Sequence, residues 1–270
     1  MTEDTQTIIS RALDWPPEAL DDIDTALVII DETFKALLDG EYQQGVSRTV
    51  PGAMEVYGVR VPDLRDCARA LAKQYKPYPD GLRALALAIW DEGSREHQLL
   101  AIFLLGRAKL TPRERWQTGS MFLPDVDNWE SCDQLCSHLL GEALVADPSH
   151  MDTLESWLDH PNVWQRRAAL VSTTLLRRFK GPADQAEALD RRALAMCEAL
   201  LADPEPYIAK AVDWAVREVI KRHPALGAEW MFAQAKKDLP SKARSTLKKS
   251  AKKLAPDEQA RFLEALETGG

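Results

Sequence analysis

Cysteine is scarce in this sequence, and its four copies, Cys67, Cys132, Cys136 and Cys197, fall at irregular intervals. That number and spacing exclude a disulfide framework, so reduced thiols are expected. No apolar run approaches the roughly 18 to 20 residues that a bilayer demands, which excludes a membrane helix and contact with a membrane. Met1 to Ser10 lacks the basic-then-apolar order of an export signal, and a cytoplasmic protein is expected. β-Branched runs are few, short and embedded in helical patterns, which excludes a sheet. The longest stretch read as irregular, Gly40 to Val61, carries nothing like a phosphate-binding loop. Cys132 and Cys136 lie four apart, but His138 is rotated away from both and no second ligand pair exists. Neither a metal nor a cofactor is expected.

What is present is a folded chain's composition, with 45% hydrophobic residues over 270 positions. The net charge of -8 argues at first against a polyanionic partner. Its distribution argues otherwise. Residues 1–40, an acidic N-terminal helical extension, hold ten acidic side chains against Arg11 and Lys35, whereas residues 236–253, a basic C-terminal helix, hold eight basic ones against Asp238. A nucleic acid responds to the face it approaches rather than to the sum.

Apolar residues recur at three- and four-residue spacing almost throughout. The pattern predicts helices over 17–39, 62–75, 80–91, 95–108, 112–121, 128–146, 149–158, 162–179, 184–201, 205–222, 224–236, 241–253 and 256–267. Pro62, Pro112, Pro148, Pro224, Pro240 and Pro256 sit where a first helical turn begins, the place where a missing N–H costs nothing. Short helices on tight turns pack as antiparallel neighbours, and repeated pairs stack into a curved solenoid, an all-α superhelix, here as one domain over residues 1–270. Segments around Glu96–Ala101, Asn128–Ser131, Val163–Ala168 and Tyr207–Val212 echo one another at intervals of roughly 32 to 43 residues, the range of helical-hairpin repeats.

Two helices carry unusual faces. On 205–222, Val212, Ala215, Val216, Val219 and Ile220 form the buried stripe, and the opposite stripe reads Lys210, Trp214, Arg217, Lys221. An indole among three cations suits a phosphate backbone with a nucleoside beside it, although a Trp packed under a neighbour with solvated cations fits the pattern equally well. On the helix opening at Asn128, Trp129 and Asp133 stack one turn apart at the flank of the stripe Leu135, Cys136, Leu139, Ala143, where they can face a ligand or simply edge the core. Arg166 and Arg167 follow Trp164 on a helix apolar on more than one side, so each needs an acidic neighbour or an anion.

Three segments taken together resemble AlkD-type DNA glycosylases in order and spacing. They are Asn128-Trp129-Glu130-Ser131-Cys132-Asp133 with Leu140-Gly141, Asn162-Val163-Trp164-Gln165-Arg166-Arg167-Ala168-Ala169, and Ile208 through Glu218. Weaker similarity at Tyr57–Arg65 and from Ile89-Trp90 to Leu105 extends the match over residues 55–250. The resemblance implies HEAT-like repeats whose concave face holds double-stranded DNA containing alkylated bases. It also implies a monofunctional glycosylase, working as a monomer, that removes N3- and N7-alkylated purines in base excision repair without a deep base pocket. Trp129, Asp133 and Trp214 match the family's catalytic positions, Arg167 its groove arginine, and Arg217 a further backbone contact. In its acidic charge the chain departs from the family. The rival expectation is a non-catalytic HEAT-like scaffold for DNA or a protein, against which the carboxylate of Asp133 speaks.

Overall fold

The computed structural model describes residues 4–15, 22–52 and 54–268, and every regular element among them is helical. The chain groups into two compact units, residues 1–115 with 125–139 and residues 116–124 with 140–270. The first holds α1 (Thr5–Ala12), α2 (Ile23–Ala36), α3 (Gly40–Thr49), α4 (Val61–Gln74), α5 (Pro79–Asp91), α6 (Arg95–Arg107), the first turn of α7 (Pro112–Phe122) and α8 (Trp129–Leu135). A π-helical turn, Cys136–Leu140, follows α8. The second unit holds the remainder of α7, then α9 (Gly141–Ala146), α10 (Met151–Ser156), α11 (Val163–Thr173), α12 (Ala183–Ala199), α13 (Pro206–Arg222), α14 (Pro224–Ala235), α15 (Ser241–Ser250) and α16 (Pro256–Thr268).

Each unit is built around one helix. In the first, α6 packs on α4, α5 and α8, and every residue from Arg95 to Leu105 is buried. In the second, α13 packs on α11, α12, α14 and α15, burying Ile208, Ala211, Val212, Ala215, Val216, Val219 and Ile220. Helices therefore meet both their hairpin partner and the helix two along, the contact pattern of stacked helical hairpins. Side-chain bonds repeat that period. Arg222 to Asp190 spans 32 residues of sequence, Arg95 to Glu130 spans 35, Arg166 to Asp203 and Ser250 to Asp213 each span 37, and Arg167 to the carbonyl of Tyr207 spans 40. Within each unit the repeat expected from the sequence is thus visible as covalently distant, spatially adjacent pairs.

Helix starts follow local chemistry. Asp22, Asp39, Ser94, Asn128 and Asn162 accept backbone N–H groups of their own first turns, and Pro62, Pro79, Pro206 and Pro224 occupy positions where no donor is needed. The structure also corrects the helical pattern in places. Gly40 to Thr49 is helix α3 rather than an irregular connection, because Asp39 caps it and Val46 anchors it, while its two glycines hide the period. Thr5–Ala12 adds a helix that periodicity missed, and the helix expected over 17–39 runs from Ile23 to Ala36, with 17–21 outside the described residues. The single helix expected over 128–146 is interrupted by the π turn, and that over 162–179 tightens into a 3-10 turn at Thr174–Arg178. Among the described residues no helix is long and apolar enough to cross a membrane, and Cys67, Cys132, Cys136 and Cys197 are buried free thiols.

Candidate active site

Trp129 and Asp133 are placed by a rigid start to α8. The N-cap Asn128 is wholly buried; its side-chain oxygen accepts the N–H of Ser131 at 2.9 Å, and its amide donates to Asp127 at 3.0 Å. Trp129 is therefore the first helical residue. Its indole N–H donates to the carbonyl of Thr49 at 3.0 Å, so the C-terminal end of α3 fixes the ring's orientation. Asp133, one turn further on and half-buried, lies on the same side of α8. The π turn begins three residues later, and its His138 carbonyl accepts the guanidinium of Arg115 at 3.1 Å. Widened turns of this kind free carbonyls for outside partners.

Between those two residues, Glu130 faces inward onto a buried charge cluster that the sequence reading did not single out. Arg95, 1% exposed, donates to both carboxylate oxygens of Glu130 at 2.7 and 2.9 Å and to Glu96 at 2.7 Å, with further bonds to Tyr42 and the carbonyl of Val59. Burial opposes the arginine's charge, but Glu130 and Glu96 overcome it and push its pKa up. Glu96 in turn accepts the N–H groups of Tyr57 and Gly58. Gly58 has φ +92°, and a Cβ there would sit 2.9 Å from the carbonyl of Asp39, so only glycine brings this N–H onto Glu96. The network joins α3, α6 and α8 and holds the Trp129 helix from behind. An adjacent Arg-Glu pair at the start of a helix with no polar face was the signal available in the sequence.

The other expected residues lie in the second unit. On α11, Trp164 is buried and its ring packs on that of Tyr207, with centroids 4.9 Å apart. Arg166 donates to Asp203 at 2.9 Å and to the carbonyls of His160 and Pro161 at 2.7 and 3.1 Å, so its guanidinium is held by an acid and a turn of its own unit. Arg167, 4% exposed, donates to the Tyr207 carbonyl at 2.5 Å. It thereby ties α11 to the first turn of α13.

On α13 the expected buried stripe is buried throughout, and the opposite face carries a half-buried Trp214 among cations. Lys210 lies over the Tyr207 ring at 5.5 Å, Arg217 is 3.4 Å from Asp213, and Lys221 is 2.6 Å from Glu218. Asp213 also accepts the hydroxyl of Ser250 at 2.9 Å, which turns it toward α15. Pairs as exposed as Arg217 and Lys221 contribute little to stability, so phosphate oxygens can take over from these carboxylates at small cost.

A family model described as DNA alkylation repair enzyme matches residues 30–254. A solved structure described as a predicted DNA alkylation repair enzyme from Enterococcus faecalis superposes with a TM-score of 0.64 at 20% identity, over 81% of this chain and 97% of that one. No curated protein matches the sequence. At that identity the structural likeness speaks for the fold, while the family model spans most of the chain and all of the residues discussed above. On that ground the chain belongs to the DNA alkylation repair enzyme family.

Proposed function

We propose that the chain is a monofunctional DNA glycosylase that hydrolyses the N-glycosidic bond of N3- and N7-alkylated purines in double-stranded DNA. Family membership supports alkylation repair, and the pair Trp129 and Asp133 on one side of α8 is the observation that favours glycosidic chemistry. A purine alkylated at N3 or N7 carries a positive ring and leaves without prior protonation. As its bond to C1′ breaks, the electron pair neutralises the ring and positive charge develops on the sugar. The carboxylate of Asp133 stabilises that charge and accepts a proton from the water that adds to C1′. Trp129 and Trp214 add attraction of about 0.5 to 2 kcal/mol each for cationic character near their faces. Arg167, Lys210, Arg217 and Lys221 are assigned to the phosphate backbone. Arg166, whose donors go to Asp203 and two carbonyls, is assigned to holding α11 in place. The protein acts as a monomer in the cytoplasm, on the nucleoid when bound.

The test is release of free base from DNA carrying 7-methylguanine or 3-methyladenine. Wild type is expected to release both, and Asp133→Asn to be slower by about a hundredfold or more. Hypoxanthine and uracil, being neutral lesions, are expected to stay in place. No release by wild type sinks the enzyme reading and leaves the rival, a helical scaffold, which the acidic net charge favours.

A further inference from the structure

A cavity of about 200 Å³ opens in the first unit among Tyr75, Lys76, Pro79, Leu82, Arg107 and Lys109. No carboxylate lines it among the described residues. Tyr75, at the C-terminal end of α4, is 0% exposed, yet its hydroxyl has no hydrogen-bond partner. Burial lifts that phenol to about 12, so it remains a donor near neutrality. An unmet hydroxyl in a dry wall costs stability unless something else satisfies it.

The charge around it has one sign. Lys76 and Lys109 form no ion pair among the described residues, and Arg107 bonds only the Phe103 carbonyl, at 3.3 Å. Burial and then Arg69 and Arg65 push the Arg107 pKa down, which marks an excess of cations. Asp66 is the acid that answers them, and it is already 2.7 Å from Arg69. Pro79, the first residue of α5, brings the positive end of a 13-residue helix to the same wall, and Tyr78 gives it no side-chain cap. Carbonyl ends of α4 and α6 nearby explain a lysine or arginine there, but not an unmet donor. Two lysines, a guanidinium, a hydroxyl and a helix N-terminus suit a group with several acceptor oxygens and more than one negative charge, which a carboxylate does not supply.

We propose that this cavity binds a phosphoryl group, either a terminal phosphate monoester or inorganic phosphate, independently of the glycosylase reading. Titration calorimetry of the full chain with inorganic phosphate in low-salt chloride buffer is expected to show one saturable site. Arg107→Gln with Lys109→Gln is expected to weaken it about tenfold or more, and Tyr75→Phe about threefold. No saturation through the millimolar range, or binding unchanged in the double variant, overturns the proposal. The double variant changes exposed side chains and decides the matter even if Tyr75→Phe does not fold. Competition separates the sources. Displacement of phosphate by a 5′-phosphorylated oligonucleotide but not by its unphosphorylated twin supports the site with a DNA end as occupant. Displacement by neither supports it with a small phosphate, and equal displacement by both overturns it, because general polyanion attraction then suffices.

Discussion

The indole of Trp129 and the carbonyl of Thr49 are joined across 3.0 Å, so the last residue of one helix orients the first residue of another. A helix end leaves its final carbonyls without internal donors, and Trp129 satisfies one. Trp129→Phe keeps the ring and removes the donor. It is expected to lower stability by about 0.5 to 1.5 kcal/mol in chemical denaturation, and to slow base release severalfold because the ring loses its fixed orientation. Release at the wild-type rate would show that orientation does not matter.

Glu130 is expected to be more sensitive than either of its site neighbours to a conservative change. Glu130→Gln leaves Arg95 buried against a neutral amide, and breaking a buried pair from one side costs about 3 to 5 kcal/mol. Urea unfolding reads this directly. Loss of under 1 kcal/mol would mean that Glu96 alone suffices for Arg95.

Lys221→Gln and Arg217→Gln are each expected to lower the slope of log affinity against log salt by about 0.9, with folding unchanged. Arg166→Gln is expected to do the reverse, lowering the melting temperature while leaving the slope alone, since its charge is spent on Asp203. Filter binding across a salt series, with thermal melts alongside, separates the two behaviours.

Acid is expected to destabilise the first unit through His97. Burial lowers its pKa below the model value of 6.5, with Asp31 opposing from 3.5 Å. Since the folded form resists a proton that the unfolded chain accepts, the contribution is complete above 6.5 and is lost as pH falls below it. The melting temperature should be flat above neutrality and decline from about pH 6.5 toward 5, with a shallower decline in His97→Phe. An identical profile in that variant would assign the slope elsewhere, His150 being the next histidine depressed by burial.

Much of this was written in periodicity. α13 was readable in both faces, because apolar residues at three- and four-residue spacing leave one geometric solution. α3 was not, because Gly40 and Gly45 lower helix propensity and its stability comes from Asp39 and from packing of Val46. The π turn after α8 was equally hidden, since Cys136–Leu140 has an ordinary helical composition and the extra residue is accommodated by tertiary contacts such as Arg115 with His138. For the site, Trp129 and Asp133 were visible as a pair one turn apart. Arg95 and Glu130 were not, because their meeting depends on two helices separated by 35 residues of chain.

The recurrence of bonded partners 32 to 40 residues apart gives the chain a natural cutting unit. One inserted residue in a helix turns everything beyond it by about 100°, parting every downstream pair from its mate. Removal or duplication of a whole hairpin keeps each partner in phase. Length variation among relatives should therefore come in full hairpins or be confined to connectors, with helix interiors closed to single-residue change.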